Sequence, residues 1–440
     1  MRFTRLVFSG VAGLLLLGPA SPRPVMDGQQ AVPAQTATSD TQQLTFKSTT
    51  ALVEVDVVVH NRKGDFVPGL VAEDLQIFED GKPQDIQQFY LVSHERGGQP
   101  FSMAADDQRG IQPDALSEDR ARRIFVMMFD EAHLANDSLL RAKAGAEEFI
   151  RENIGPGDFG GIFSANGMYH GRLTTSPSEL LTGVSTVKVG FENRQSLLAP
   201  FREFPMIPGE IDAARIASGG REVAQRIRET ICAADPLSCQ FAGGEDQVEN
   251  QLQQKARMYV RQARILTSNT LHNLRYLVNR LTRIPGRKTV VFISEGFYVE
   301  ESRSDIEAIA AEAARGGTTI YSIDGRGLIG GSSATPDVLS ASAGRSTTFD
   351  TGEDGPVILT AATGGIRVHN VDDISRAFNM IVRDTSTYYV IGYQPDNAVM
   401  DGKFRKIEVK SRVSGLTIRS RKGYAAVKLP PMETVRGGWQ

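Results

Sequence analysis

Cysteine is almost missing from this chain: its 440 residues contain only two, Cys232 and Cys239. No Cys-x-x-Cys pair exists, which excludes a zinc ribbon and a thioredoxin-type redox motif. Also missing are a Gly-x-x-x-x-Gly-Lys-Ser/Thr phosphate loop, a Gly-x-Ser-x-Gly elbow and a His-Glu-x-x-His helix. Without them the sequence offers no recognisable means of cradling a nucleotide, raising a serine nucleophile or holding catalytic zinc. Beyond residue 20 nothing approaches the roughly eighteen consecutive apolar residues of a spanning helix, so no integral membrane segment is expected in the mature chain. Charge has no dominant sign either. With 49 basic residues facing 52 acidic ones, the net charge of −3 gives no electrostatic reason to bind nucleic acid or anionic membranes.

What is present begins with Arg2 and Arg5, an apolar run from Leu6 to Leu17, and Gly18-Pro19-Ala20. That order of charged, apolar and small residues is an export signal over 1–20, and no nearby cysteine could carry a lipid. The mature chain is expected free in the periplasm or outside the cell. In such an oxidising compartment Cys232 and Cys239 either close a loop worth about 2.5 kcal/mol or remain two thiols in an insertion. Residues 21–46 are rich in Pro, Gln, Ala, Ser and Thr and read as a disordered linker.

A β segment over 47–95 follows. Its alternation Leu52-Val53-Glu54-Val55-Asp56-Val57 predicts a strand, and Leu75–Phe78 with Ile86–Val92 predicts a hairpin around Glu79–Lys82. A polar, Gly-rich stretch at 96–121 reads as a second linker. From 122 to 384 strands alternate with helices, the pattern of a mostly parallel sheet covered on both faces. Strands are predicted at Ile124–Phe129, Phe159–Ser164, Met168–Leu173, Thr289–Ile293, Thr318–Ile323 and Ile366–His369. Helices are predicted over about 138–153, from a capping box at Ser176-Pro177-Ser178-Glu179, from another at Ser304–Glu307, and over 372–383. Leu252, Ala256, Tyr259, Ala263, Leu266, Thr270, Leu274, Leu277 and Leu281 recur at helical spacing and predict one long amphipathic helix. Residues 185–245 interrupt the rhythm as an insertion with one helix over about 210–231. The β pattern returns at 385–428, ahead of a tail at 429–440, and the two β segments are expected to pair into one small all-β domain.

In open α/β sheets ligands sit beyond the carboxyl ends of the strands, where this sequence places Asp130, Ser294, Glu295 and Asp324. An apolar strand ending in Asp130, with Pro-Gly-Arg-Lys-Thr-Val-Val-Phe-Ile-Ser-Glu-Gly-Phe at 285–297, resembles a von Willebrand factor A-type domain. The flanks sharpen the likeness: Phe78-Glu79-Asp80-Gly81-Lys82-Pro83, Tyr388-Tyr389-Val390-Ile391-Gly392-Tyr393 and Arg421-Lys422-Gly423-Tyr424 are similar to the VWFA-related family found chiefly in Acidobacteria. The resemblance spans about 47–426 and implies a Rossmann-type α/β fold.

The resemblance also implies a metal-ion-dependent adhesion site, Asp-x-Ser-x-Ser plus a Thr and a second Asp, holding Mg²⁺ or Ca²⁺ for an acidic group of a partner. Here the motif reads Asp130-Glu131-Ala132-His133-Leu134, so both serines are replaced by residues without oxygen. The second acidic position holds Ser294 or Glu295, and Thr174 or Thr175 is the candidate threonine. The site therefore reads as degenerate. No cofactor is expected, Asp130 and Glu295 being the weak candidates should Mg²⁺ or Ca²⁺ bind, and Asp130 otherwise serves as a polar cap on its strand. Asp130-Glu131-Ala132-His133 also spells a helicase box, a coincidence where no phosphate loop exists. His133 beside Asp130 could act as a base, although a lone loop histidine is more often a surface residue. The expectation is a non-enzymatic module whose face of Asp130, Glu131, His133, Thr174, Ser294, Glu295 and Asp324 meets an unidentified protein partner. The alternative is an envelope scaffold without a discrete ligand site, with an exported hydrolase a distant third.

Overall fold

The computed structural model describes residues 52–93, 101–103, 123–190, 193–297, 302–327 and 354–430. The export signal, the linker at 21–46, most of the linker at 96–121, most of the Gly/Ser-rich loop at 325–355 and most of the tail lie outside them. In chain order the first strands are β1 (Val53–His60), β2 (Leu75–Glu79), β3 (Lys82–Gln84), β4 (Ile86–Ser93) and β5 (Phe101–Met103). Then come β6 (Ile124–Phe129), α1 (Asn136–Asn153), β7 (Phe159–Ser164), β8 (Gly167–Met168) and α2 (Pro177–Thr186). Five helices follow: α3 (Arg194–Leu198), α4 (Glu210–Ala217), α5 (Arg221–Ala234), α6 (Pro236–Phe241) and α7 (Glu245–Leu281). The α/β pattern resumes with β9 (Lys288–Ser294), α8 (Arg303–Arg315), β10 (Thr318–Asp324), α9 (Asp354–Thr363), β11 (Arg367–Val368) and α10 (Ile374–Ser386). Last are β12 (Thr387–Tyr393), β13 (Phe404–Ser411), β14 (Thr417–Ser420) and β15 (Gly423–Ala425).

The architecture is mixed α/β with several sheets, the largest a six-stranded one ordered β11-β10-β9-β6-β7-β8 and parallel except at β8. All six residues of β6 are buried, because alternate side chains enter two different cores. Phe125, Met127 and Phe129 pack under α1, α2 and α10, and Ile124, Val126 and Met128 pack under α8, α9 and the second half of α7. Strand order reverses between β6 and β9, so the crevice of such a sheet opens where Asp130 follows β6 and Ser294 ends β9.

The terminal segments pair with each other. β1 runs antiparallel to β12 and β14, β4 pairs β12, and β2 pairs β13. The run Val57-Val58-Val59 is apolar throughout because both faces of β1 are covered: Val57 and Val59 face Ile77 and Ile407 of the second sheet, while Val58 meets Tyr90, Val92, Tyr388 and Val390. The described residues belong to one compact unit that starts at Thr50.

Several expectations are corrected. The hairpin joins β2 to β3 through Asp80 and Gly81, both at positive φ (50° and 80°) as an Asp-Gly turn requires, while β4 leaves for the other sheet. Within the stretch read as a linker, β5 pairs with β4. Met168–Leu173 is no strand beyond β8, since His170 and Gly171 turn the chain at φ 53° and 62°. Among its described residues the insertion holds four α-helices, the predicted single one being broken at Ser218-Gly219-Gly220 between α4 and α5. Together with the first half of α7 these helices form their own core around Leu252, Ala256 and Tyr259, and Cys232 of α5 is bonded to Cys239 of α6. At α8 the helix starts at Arg303 with no side-chain cap, so the box at Ser304 is not made. Ser176 does cap α2, accepting from the Glu179 N–H, but the Glu179 carboxylate turns to Thr174, His170 and Arg172.

Candidate functional site

At the end of β6 the Asp130 N–H donates to Ile293 O of β9 (3.0 Å), and the N–H groups of His133 and Leu134 return to Asp130 O (3.0 and 2.9 Å). That tight turn folds the His133 ring back beside the Asp130 carboxylate, where Phe297 covers it at 5.4 Å between ring centres. Leu134, 1% exposed, anchors the turn in the core under α1.

Three side chains converge on Asp130. Thr270 Oγ1, from the middle of α7, donates to Oδ1 at 2.7 Å, and Ser294 Oγ, the last residue of β9, donates to Oδ2 at 2.7 Å. His133 Nδ1 lies 3.0 Å from Oδ2 and 3.2 Å from Thr270 Oγ1. Since Thr270 gives its proton to Asp130, Nδ1 carries the ring proton and donates to the carboxylate. Asp130, His133, Thr270 and Ser294 are only 3, 3, 3 and 2% exposed, which closes the cluster to solvent. Burial alone would push the Asp130 carboxyl up, yet the charge of His133 and hydrogen bonds from His133, Ser294 and Thr270 outweigh it and hold Asp130 below the usual carboxylate range.

The wiring decides what chemistry is available. A serine nucleophile needs a base to accept its proton, with an acid orienting that base from the far side. Here Ser294 and His133 both bond to the acid, and the Ser294 oxygen also accepts the Gly296 N–H at 2.9 Å. Its hydroxyl is fixed as a structural link. To a hard cation the cluster would offer three oxygen-bearing side chains, Asp130, Thr270 and Ser294, leaving the rest of about six positions to water. Both Asp130 oxygens are engaged, and Ala132 and Leu134 supply none. Glu295 faces away, its Oε1 accepting the Ala135 N–H (2.8 Å) at the start of α1, where Ala135 has no side-chain acceptor of its own. Among the described residues no group of three or more His, Cys, Asp or Glu side chains is placed to hold a metal ion.

The other expected face residues are occupied locally. Glu131 accepts the Ala165 and Lys188 N–H groups (2.8 and 3.2 Å), and burial pushes its carboxyl up despite them. Asp324 is paired with Arg326 at 2.6 Å and Arg367 at 3.3 Å. Thr174 is not in the cluster. It pairs with Gly160, which lies level with Phe125 near the entry of the sheet, five residues or about 16 Å of strand from Asp130. Thr270, not Thr174, is the threonine that reaches Asp130. Its available signal was a hydroxyl in the apolar stripe of the long helix, otherwise filled by Leu, Ala and Tyr. Compared with known proteins, the chain matches no family model and no curated protein.

Proposed function

We propose that this chain is an exported, non-enzymatic protein of the von Willebrand A type, within the VWFA-related family, that binds a protein partner without a bound cation. The strand order β11-β10-β9-β6-β7-β8 with a single antiparallel edge, and an aspartate at the switch point, support that fold assignment. On this reading the β1–β4 and β12–β15 segments make up the accompanying all-β domain. The Cys232–Cys239 bond supports an oxidising compartment. Among the described residues no helix is long and apolar enough to cross a membrane.

One observation carries the cation-free reading: both oxygens of the Asp130 carboxylate are satisfied by Thr270, Ser294 and His133 inside a closed pocket. Titration calorimetry of the mature protein with Mg²⁺, Ca²⁺ and Mn²⁺ tests it. The expected result is no affinity tighter than about 1 mM, since an ion that cannot displace those donors keeps its waters. Micromolar affinity that disappears in Asp130→Ala would overturn the reading. The same closure favours the second reading, a scaffold with no discrete site, and capture of a partner in excess EDTA separates the two.

A further inference from the structure

A second surface lies along α8, away from the switch point. Between α8, α9 and the β13–β15 strands runs a groove of about 1280 Å³, above the roughly 300–1,000 Å³ of ordinary small-molecule sites. Its floor is apolar, formed by partly buried Val357, Ile358, Ala361 and Ala362 of α9 with Phe404 (49% exposed) and Val427 (39% exposed). The rim is cationic. Arg283, Arg303 and Arg315 stand on the helical side, and Lys406, Lys422 and Lys428 on the strand side. Only two carboxylates share the lining, Glu307 and Glu312, and Glu312 is already paired with Arg275 at 2.6 Å. A chain of net charge −3 thus gathers six cations around one apolar trough. Arg303, Lys406, Lys422 and Lys428 are exposed, and none is ion-paired to a carboxylate in this lining.

Spacing selects the ligand. Arg303 and Arg315 stand at opposite ends of α8, twelve residues or about 18 Å apart. A one-headed anionic amphiphile would satisfy a single end of such a groove. An extended peptide covers the distance in about six residues and sends alternate side chains to opposite sides. We propose that this groove binds an extended acidic segment of a partner protein, about six residues long, with acidic side chains facing the Arg and Lys rim and apolar ones the Val357–Phe404 floor. The proposal is independent of the von Willebrand A assignment and of the cation question, so a metal found at Asp130 would leave it standing.

The test is fluorescence anisotropy of the full chain with a dye-labelled hexapeptide alternating glutamate and leucine, alongside a lysine–leucine counterpart, at 50 and 500 mM NaCl. The expected result is saturable binding of the glutamate peptide alone, weakened several-fold at the higher salt because exposed charges are screened. Lys406→Glu/Lys422→Glu on one wall and Arg303→Glu on the other should each reduce affinity tenfold or more, with circular dichroism unchanged because these side chains are exposed. Absence of saturable binding, equal binding of the lysine peptide, or indifference to both variants would overturn the proposal. So would displacement of the peptide by stoichiometric oleate whose own binding is lost in only one of the two variants, which would identify a one-headed amphiphile as the occupant.

Discussion

Replacing Lys288 by methionine removes an ammonium group that the fold holds almost out of water. Lys288 opens β9, is 2% exposed, and donates from Nζ to Ile284 O at 2.8 Å. Burial is the dominant influence, only partly offset by Asp56, and it pulls the lysine down to about 7 from its ordinary 10.5. Asp56 is already shared with Arg287, in a 3.1 Å charge contact beside the Arg287–Tyr388 stacking at 3.8 Å. Between about pH 7 and 10.5 the unfolded lysine therefore binds more protons than the folded one, and stability rises with pH across that window. The gain from pH 7 to pH 9.5 works out at about 3 kcal/mol, and the full penalty at pH 7 at about 4 kcal/mol. Above pH 10 Tyr388, pushed up to about 12 chiefly by burial, acts in the opposite direction, so the comparison stops at 9.5. Lys288→Met forfeits one hydrogen bond worth about 1 kcal/mol. It should therefore be about 3 kcal/mol more stable than the parent at pH 7 and close to it at pH 9.5. Urea unfolding of both proteins at the two pH values measures this. A parent whose midpoint does not move with pH, or a methionine variant less stable at pH 7, would refute the reasoning.

Two further outcomes are expected from the packing. Thr270→Val keeps the shape of the α7 stripe but leaves Asp130 Oδ1 without its donor, so it should cost about 1–3 kcal/mol in a urea titration; a neutral result would mean that Thr270 does not carry the Asp130 charge. Truncation after Asp384 strips β1 of both neighbours, β12 and β14, so amides of Val53–Val59 should lose hydrogen-exchange protection, and unchanged protection would contradict the pairing.

The parallel sheet was legible because β6, β9 and β10 are buried on both faces, which gives an apolar run in β6 and in Val290–Ile293 of β9 and a polar residue at the crevice end of each strand. For the same reason Asp130, Ser294, Glu295 and Asp324 were legible together at the strand ends, though the sequence leaves open which of Ser294 and Glu295 reaches Asp130 and the structure gives Ser294. Pairing among the β segments was less legible. Leu75–Phe78 and Ile86–Val92 are neighbours in sequence and have similar patterns, but the tight Asp80-Gly81 turn commits β2 to β3 and frees β4 for β12. Thr270 was visible as a residue but not as a site, since nothing in a helical stripe says which strand end 140 residues away it will meet. Thr174 was chosen for its type and nearness to a strand, and the bridge to Gly160 carries it to the entry side of the sheet instead.

On the proposed von Willebrand A reading, the absence of two serines from the Asp130 loop does more than delete ligands. An ionised carboxylate this deeply buried must be compensated by a cation or by donors, because leaving it bare costs several kcal/mol. In an adhesion site the cation would do this and would make the loop responsive to a partner's acidic group. In this chain the compensation comes from within, through Thr270, Ser294 and the His133 ring, and His133 is itself pinned by Phe297 while Leu134 is buried beneath α1. A partner's carboxylate arriving at the crevice would find the Thr270 and Ser294 hydroxyls and His133 Nδ1 already committed to Asp130. Freeing one would break a hydrogen bond to a buried charge, a cost of about 1.5–3 kcal/mol that a surface contact seldom returns. The closed network thus turns the switch point into a rigid support, and the exposed cations suited to an acidic partner stand on the groove along α8.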